Sequence, residues 1–319
     1  MSRPSLTVAL LTPDDFATIR KTVSHIAGQS IAGEIELLIL ASKPGNLRLD
    51  TGATSTFHAV KVVGVDFDAG TGPARATAVR EASAPVIVFG EDHCFPQAGW
   101  AAALLRAHGG PWAAVGPVVR NANPEALVSW ADLLMGYGPW LAPGRSMERD
   151  HLPGHNSSYK VDALLTLGDD LPALMESETA LQWRLRSLGH RLFQESDAQV
   201  AHTNFDRWRT WIPVSFHAGR VFAATRSLAW SLPRRWAFAA ATPLVPAVRM
   251  WRHIRQAVDA GLPAGLVVRI APILAIGLIV DGAAQFAGCI TGAGQSRATL
   301  VQWDFHRNVP RARPRAVHS

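Results

Sequence analysis

The chain has 319 residues, 48% of them hydrophobic, two cysteines and a formal charge of +6. Its length and apolar content suit one large domain or two smaller ones with a sizeable core. Two cysteines, Cys94 and Cys289, exclude a disulfide framework and point to a reducing compartment.

Met1–Leu11 carries one Arg and only a short apolar run, without the long apolar core and small-residue cleavage site of a signal peptide, so the first half is expected in the cytosol. Within it, Ser5–Leu11 reads as a buried strand ended by Thr12-Pro13-Asp14-Asp15. Residues 16–29 place Phe16, Ile19, Val23, Ile26 and Ala27 at helical spacing. Ile35–Leu40 and Ala59–Val65 read as the second and third strands. Gly70-Thr71-Gly72-Pro73 turns into a helix over Ala74–Ala82, and Pro85–Phe89 is a fourth strand. Uniformly apolar strands alternating with amphipathic helices predict an α/β fold, a mainly parallel sheet with helices on both faces. Ligands of such sheets bind beyond the carboxyl ends of the strands, which singles out residues 13–15, 41–43, 66–68 and 91–93. Further on, the sequence predicts a strand over Ala114–Val119, a helix near Val161–Leu167, a longer helix over Glu178–Leu188 and a strand over Ala198–His202.

Glu91-Asp92-His93 directly follows the strand at Pro85–Phe89. A strand end can present the side chains at i and i+2 to one ion, and carboxylate and imidazole both ligate Mg or Mn, the imidazole favouring Mn. By itself the triplet also fits a solvated acidic turn. Its surroundings decide between the two. Phe89–Trp100 (FGEDHCFPQAGW) resembles the metal-binding segment of family 2 glycosyltransferases, in which an apolar strand runs into Asp-x-Asp, a Pro and Gly-Trp. Gly72-Pro73-Ala74-Arg75 is similar to that family's Gly-x-Ala-Arg helix, and Gly154-His155-Asn156 to its acceptor-side Gly-x-Asn. Ser177–Leu185 (SETALQWRL) resembles the family's Glu-Asp-x-x-Leu-x-x-Arg-Leu helix, and Ala198–His202 its closing strand. The pieces fall in the family's order over roughly residues 5–205.

The resemblance implies a GT-A fold and metal-assisted, inverting transfer from a nucleoside-diphosphate sugar, with Mn or Mg as the cofactor. It implies metal ligands at Glu91, His93 and His202, and a general base at Glu178. It further implies nucleotide contacts at Pro13, Asp14, Asp15, Arg75 and Asp92, and acceptor contacts at His155, Asn156 and Arg184; Trp100 itself reads as a core residue or a pocket wall able to stack on an acceptor sugar. The chain departs from the family at Glu91 and His93, which stand for two aspartates, and at Ser177, which stands for the acid beside the base. Ala41-Ser42 lacks the Asp that ends the family's second strand, and Ala76 replaces its Asn. A non-catalytic binding protein on a degenerate transferase scaffold and a sugar nucleotidyltransferase are the rival readings. The latter needs a Gly-rich basic loop after the first strand, where Thr12-Pro13-Asp14-Asp15 has none.

Beyond Asp206 the composition shifts. Residues 1–206 hold 22 acidic and 16 basic side chains, residues 207–319 only 3 and 15, and no acid lies between Asp206 and Asp259 among nine Arg and five Trp. Arg and Trp among Leu, Val, Ala and Phe fit an anionic membrane surface rather than nucleic acid. The sequence therefore predicts a catalytic domain over 1–206, a helical membrane-associated region over 207–305 contacting the membrane through residues 207–290, and a disordered basic tail over 306–319. Its longest clean apolar run, Ile270–Val280, spans about 16 Å of helix, short of a ~30 Å hydrocarbon core. Interfacial or re-entrant helices at the cytoplasmic face are expected, with a helical subdomain packed on the catalytic core as the alternative. The acceptor expected of such an enzyme is lipid-linked or a surface polysaccharide.

Overall fold

A computed structural model of the chain describes residues 3–12, 15–67, 70–228 and 230–305. Pro13, Asp14 and the tail over 306–319, all named above, lie outside these residues.

The strands β1 (Leu6–Thr12) and β2 (Ile35–Ala41) are buried almost throughout, as apolar runs covered on both faces must be. Each buried Leu or Ile in them contributes roughly 1.5–3 kcal/mol. Between them α1 (Phe16–Ala27) turns Phe16, Ile19, Val23 and Ile26 inward, and the Asp15 carboxylate caps it by accepting from Ala17 N. There follow a single turn α2 (Thr51–Thr54), β3 (Ala59–Gly64), α3 (Thr71–Glu81), β4 (Val86–Gly90) and the short β5 (Cys94–Pro96). Next come α4 (Trp100–His108), β6 (Trp112–Asn121), α5 (Leu127–Tyr137), β7 (Met147–Arg149) and β8 (Ser158–Lys160). The helices α6 (Val161–Leu165), α7 (Leu171–Leu174) and α8 (Glu178–Ser187) lead into β9 (Arg191–His202).

Among the described residues nine strands form one sheet in the order β3-β2-β1-β4-β8-β6-β9-β5, with β7 on β9. The first four are parallel, β8 enters antiparallel between β4 and β6, and β9 lies parallel to β6 and antiparallel to β5 and β7. Two elements differ from the sequence reading. Helix α3 begins at Thr71 rather than Ala74, because Pro73 sits in the first turn, where its missing N–H has no intrahelical partner to lose. Strand β9 begins at Arg191, seven residues before the expected start. Its first half, Arg191–Asp197, is polar but alternates in burial while pairing with β6 and β7.

The carboxyl ends of β4, β6 and β9 meet at one edge, since Asn121 pairs with His202 and β5, just past β4, pairs back onto β9 through Cys94 and His202. That edge carries the site.

The C-terminal helices are α9 (Trp208–Arg226), α10 (Leu232–Ala241), α11 (Val245–Asp259), α12 (Ala264–Thr291) and α13 (Ser296–Phe305). By compactness the chain falls into two units: the chain through Asp206 with Ala247–Ala275, and Arg207–Pro246 with the chain from Ile276 onward. The clean apolar run of the sequence reading ends at Val280, whereas α12 continues for 28 residues through Pro272 and Asp281. The Asp281 carboxylate is accommodated by Gln285, one turn on, whose Nε2 donates to Oδ2 at 2.7 Å. In the second unit Gly219 on α9 faces Asp281 and Ala284, and Gly288 lies against the Arg220 carbonyl, so glycine lets the two backbones approach. The Arg220 guanidinium donates to the Gly292 carbonyl just past the end of α12, at 2.9 Å.

Candidate active site

The Glu91 carboxylate is the centre of the cluster. It leaves the end of β4, and three imidazoles surround it. His93 Nε2 lies 3.3 Å from Oε1, His155 Nδ1 3.3 Å from Oε1, and His202 Nε2 3.7 Å from Oε2. Backbone pairing dictates this arrangement. Thr203 N donates to His93 O at 2.9 Å, which sets the His93 and His202 rings 4.9 Å apart, edge to face. Asn156 N donates to Phe89 O at 2.9 Å, which lays the Gly154–Asn156 turn over the end of β4. Asn156 holds φ of +61°, a left-handed conformation that non-glycine residues seldom adopt, and its side-chain amide donates to Glu91 Oε2 at 3.3 Å.

The second carboxylate, Glu178, opens α8. It accepts from Arg75 Nη1 at 2.7 Å and lies 3.5 Å from His155 Nε2. One imidazole thus touches both acids. Gly154 makes room for this: a Cβ there would stand 3.1 Å from the Glu178 carboxyl carbon. Ser177 caps α8 by accepting from Ala180 N. Glu176 serves a different helix, accepting from Gly72 N at 2.6 Å at the start of α3.

Burial drives both acids toward the neutral form, but their partners outweigh it. His155, then His93 and His202, hold Glu91 well below the ordinary carboxylate range. Arg75, then His155, hold Glu178 below its usual value, so it is ionised at neutral pH.

Among the described residues Glu91, His93 and His202 form the one group of His, Cys, Asp or Glu side chains placed to hold a metal ion, with ligand atoms all within 4.8 Å of one another. An ion bonded at about 2.1 Å separates its ligands by about 3.0–3.4 Å at octahedral or tetrahedral angles. The Glu91–His93 pair at 3.3 Å meets that range and Glu91–His202 at 3.7 Å nearly does, so the residues fit a cation.

Several residues sit elsewhere than the sequence suggested. Arg75, read as a nucleotide contact, has Nη1 on Glu178 and Met175 O and Nη2 3.3 Å from His155 Nδ1, so it holds the proposed base. Asp92, also read as a nucleotide contact, places Oδ1 2.5 Å from His93 Nδ1. Asp15 caps α1. Trp100 is a core residue of α4, 1% exposed, because Gly99-Trp100 begins a helix whose first turn packs inward rather than lining a cleft. Arg184 is exposed on α8. His155 and Asn156, read as acceptor contacts, stand at Glu91. Sequence reasoning missed Asn204, which hydrogen-bonds His202 Nδ1 at 2.8 Å, and Tyr137, whose ring lies 4.7 Å from that of His202. The spacing His202-x-Asn204 is a signal for the first; nothing in the sequence marks the second. A cavity of about 520 Å³ lined by Pro85, His108, Trp112, Lys160 and His190 lies at the opposite ends of β4 and β6, away from this cluster.

No family model matches the sequence, and no match is found among curated proteins. Among solved structures, the mannosyltransferase PcManGT from Pyrobaculum calidifontis, in complex with GDP-Man and Mn2+, aligns over 95% of this chain and 88% of that one. Its TM-score is 0.54 at 17% identity. The fold is GT-A. Residues 1–349 of S. aureus TarS with UDP align over 92% of both chains at 15% identity and a TM-score of 0.46. GalNAc-T7 with UDP, GalNAc and Mn2+ aligns over 67% of this chain and half of that one, at 12% and 0.45. At those scores the last two add nothing to the argument.

Proposed function

We propose that the protein is an inverting, nucleotide-sugar-dependent glycosyltransferase acting at the cytoplasmic face of a membrane on a lipid-linked or surface-polysaccharide acceptor. The observation that supports this reading is the joint contact of Glu91 and Glu178 with His155, which brings the two acids within reach of one imidazole at the strand ends. PcManGT, of the same fold, was solved with a nucleotide sugar and Mn2+.

A divalent cation, when bound, neutralises charge on a departing diphosphate. Glu91, His93 and His202 are the residues that would hold it, and two imidazoles beside one carboxylate favour Mn over Mg. Glu178, ionised and fixed by Arg75, accepts the proton of the acceptor hydroxyl as that oxygen attacks the anomeric carbon from the face opposite the leaving group. Arg75 keeps the carboxylate in place and charged before the acceptor arrives.

The membrane reading is supported by α12. At about 1.5 Å per residue its 28 residues extend about 42 Å, and Val268, Ile276, Ile279 and Phe286 form an exposed apolar line along it. Asp281 and Gln285 are turned to the buried side, where polar groups of a membrane helix belong. The acid-free, Arg-rich stretch between Asp206 and Asp259 suits the anionic cytoplasmic leaflet.

The test is a thermal-shift screen of UDP-, GDP-, CDP- and dTDP-sugars with and without Mn2+, since a donor that binds the folded state raises its melting temperature. At least one donor should stabilise the protein in a Mn2+-dependent way. Stabilisation by none of them, with or without the ion, would remove the donor-binding claim.

A further inference from the structure

The hydrogen bonds behind His93 and His202 determine which ring nitrogen of each carries hydrogen. For His202 the reasoning starts from a group that can only donate. The backbone N–H of Asn123 donates to Asn121 Oδ1 at 3.0 Å, which fixes that atom as the oxygen. The Asn204 side-chain atom 3.0 Å from the same oxygen must then be its nitrogen, Nδ2, which also donates to the His202 carbonyl at 3.0 Å. The Asn204 amide therefore presents Oδ1 to His202 Nδ1 at 2.8 Å, and Nδ1 is the protonated nitrogen. Asn204 cannot turn over without placing its nitrogen against Nδ1–H and its oxygen against two oxygens. Reciprocal bonds to Asn123 hold it further, Asn204 N to Asn123 Oδ1 and Asn123 Nδ2 to Asn204 O, both at 2.9 Å. Both His202 and Asn204 are buried.

At His93 a carboxylate does the same. Asp92 Oδ1 accepts from Nδ1 at 2.5 Å. In both rings Nδ1 carries a proton, and Nε2 is the nitrogen directed at Glu91, from 3.3 and 3.7 Å.

We infer that Asp92 and Asn204 are positioning residues that fix the tautomer and aim of His93 and His202, so that both imidazoles offer Nε2 to a cation bound by Glu91. This deepens the cation reading above and rests on it. Orienting partners of this kind typically change metal affinity 10–100-fold. It also assigns unequal parts to the two: Asp92 adds negative charge behind its imidazole, whereas Asn204 supplies orientation alone.

The experiment measures the Mn2+ dissociation constant by EPR of the free ion, with 15N shifts of the histidine rings in the metal-free protein, for wild type, Asp92→Ala, Asp92→Asn and Asn204→Ala. Wild type should bind Mn2+ with His202 and His93 in the Nδ1–H tautomer. Asp92→Ala and Asn204→Ala should weaken binding 10–100-fold, and Asp92→Asn, which keeps an acceptor for His93 without the charge, should weaken it less than Asp92→Ala does. Asp92 lies in a loop, so Asp92→Ala remains informative should Asn204→Ala unfold. Mn2+ binding by wild type that neither alanine variant weakens overturns the inference and spares the cation site. Metal-free rings without a proton on Nδ1 overturn it independently of any metal. Absence of Mn2+ binding by wild type overturns the cation reading and this inference with it.

Discussion

Replacing Arg75 with Met removes the cation that keeps Glu178 charged while leaving much of the side-chain volume. Breaking one side of a buried ion pair costs about 3–5 kcal/mol. The Arg75 side chain is 10% exposed and that of Glu178 24%, which places this pair at the lower end, about 3 kcal/mol. For a chain of 319 residues that corresponds to a fall in melting temperature of about 4–5 °C. The loss should be conditional. In a Glu178→Gln background no charge is left uncompensated, so Arg75→Met should cost about 2 kcal/mol less than it does alone. The pH dependence has a definite sign. Glu178 is depressed in the folded state, so the pair's stabilisation is present above the ordinary carboxylate value of 4.5 and is lost as pH falls through the folded value. Calorimetry of the four proteins of the cycle at pH 7 measures the coupling. Strictly additive effects would refute the argument that Arg75 holds the base.

Three further outcomes are expected. Burial, and then the charge of Lys160, lower His108 from 6.5 to about 4, so the unfolded chain takes up a proton that the folded one refuses. Stability should fall by roughly 3 kcal/mol as pH drops from about 6.5 to about 4, and His108→Gln should flatten that part of the stability curve measured by denaturant titration. Trp100→Ala should cost about 3–5 kcal/mol, read as a lowered denaturation midpoint, because the side chain is core; a raised acceptor KM at unchanged stability would restore it as a cleft wall. Ile276→Arg with Ile279→Arg puts two charges on the exposed line of α12, and the doubly substituted protein should no longer float with vesicles containing anionic lipid, whereas wild type floats.

The sequence carried the sheet well because β1 and β2 are continuous apolar runs, and burial on both faces leaves such runs few alternatives. It hid the first half of β9, where polar residues pair with β6 and β7 through backbone groups that side-chain pattern does not report. Glu91, His93, His202 and Glu178 were legible by their order and spacing. Their partners were not. Arg75 lies 103 positions from Glu178 and Asn204 pairs across 83 positions with Asn121, contacts that only the closed sheet creates. The length of α12 was obscured by Pro272 and Asp281, which read as interruptions until Gln285 is seen to satisfy the acid.

The proposed enzyme holds both the cation and the base for sugar transfer in one site. Mn2+-dependent release of nucleoside diphosphate from the best-binding donor, in vesicles bearing a lipid-linked acceptor extract, tests it most directly when wild type is compared with Glu178→Gln. Release that Glu178→Gln lowers by a hundredfold or more, while its Mn2+ affinity stays within a few-fold of wild type, is the predicted result. Undiminished release by Glu178→Gln would contradict it.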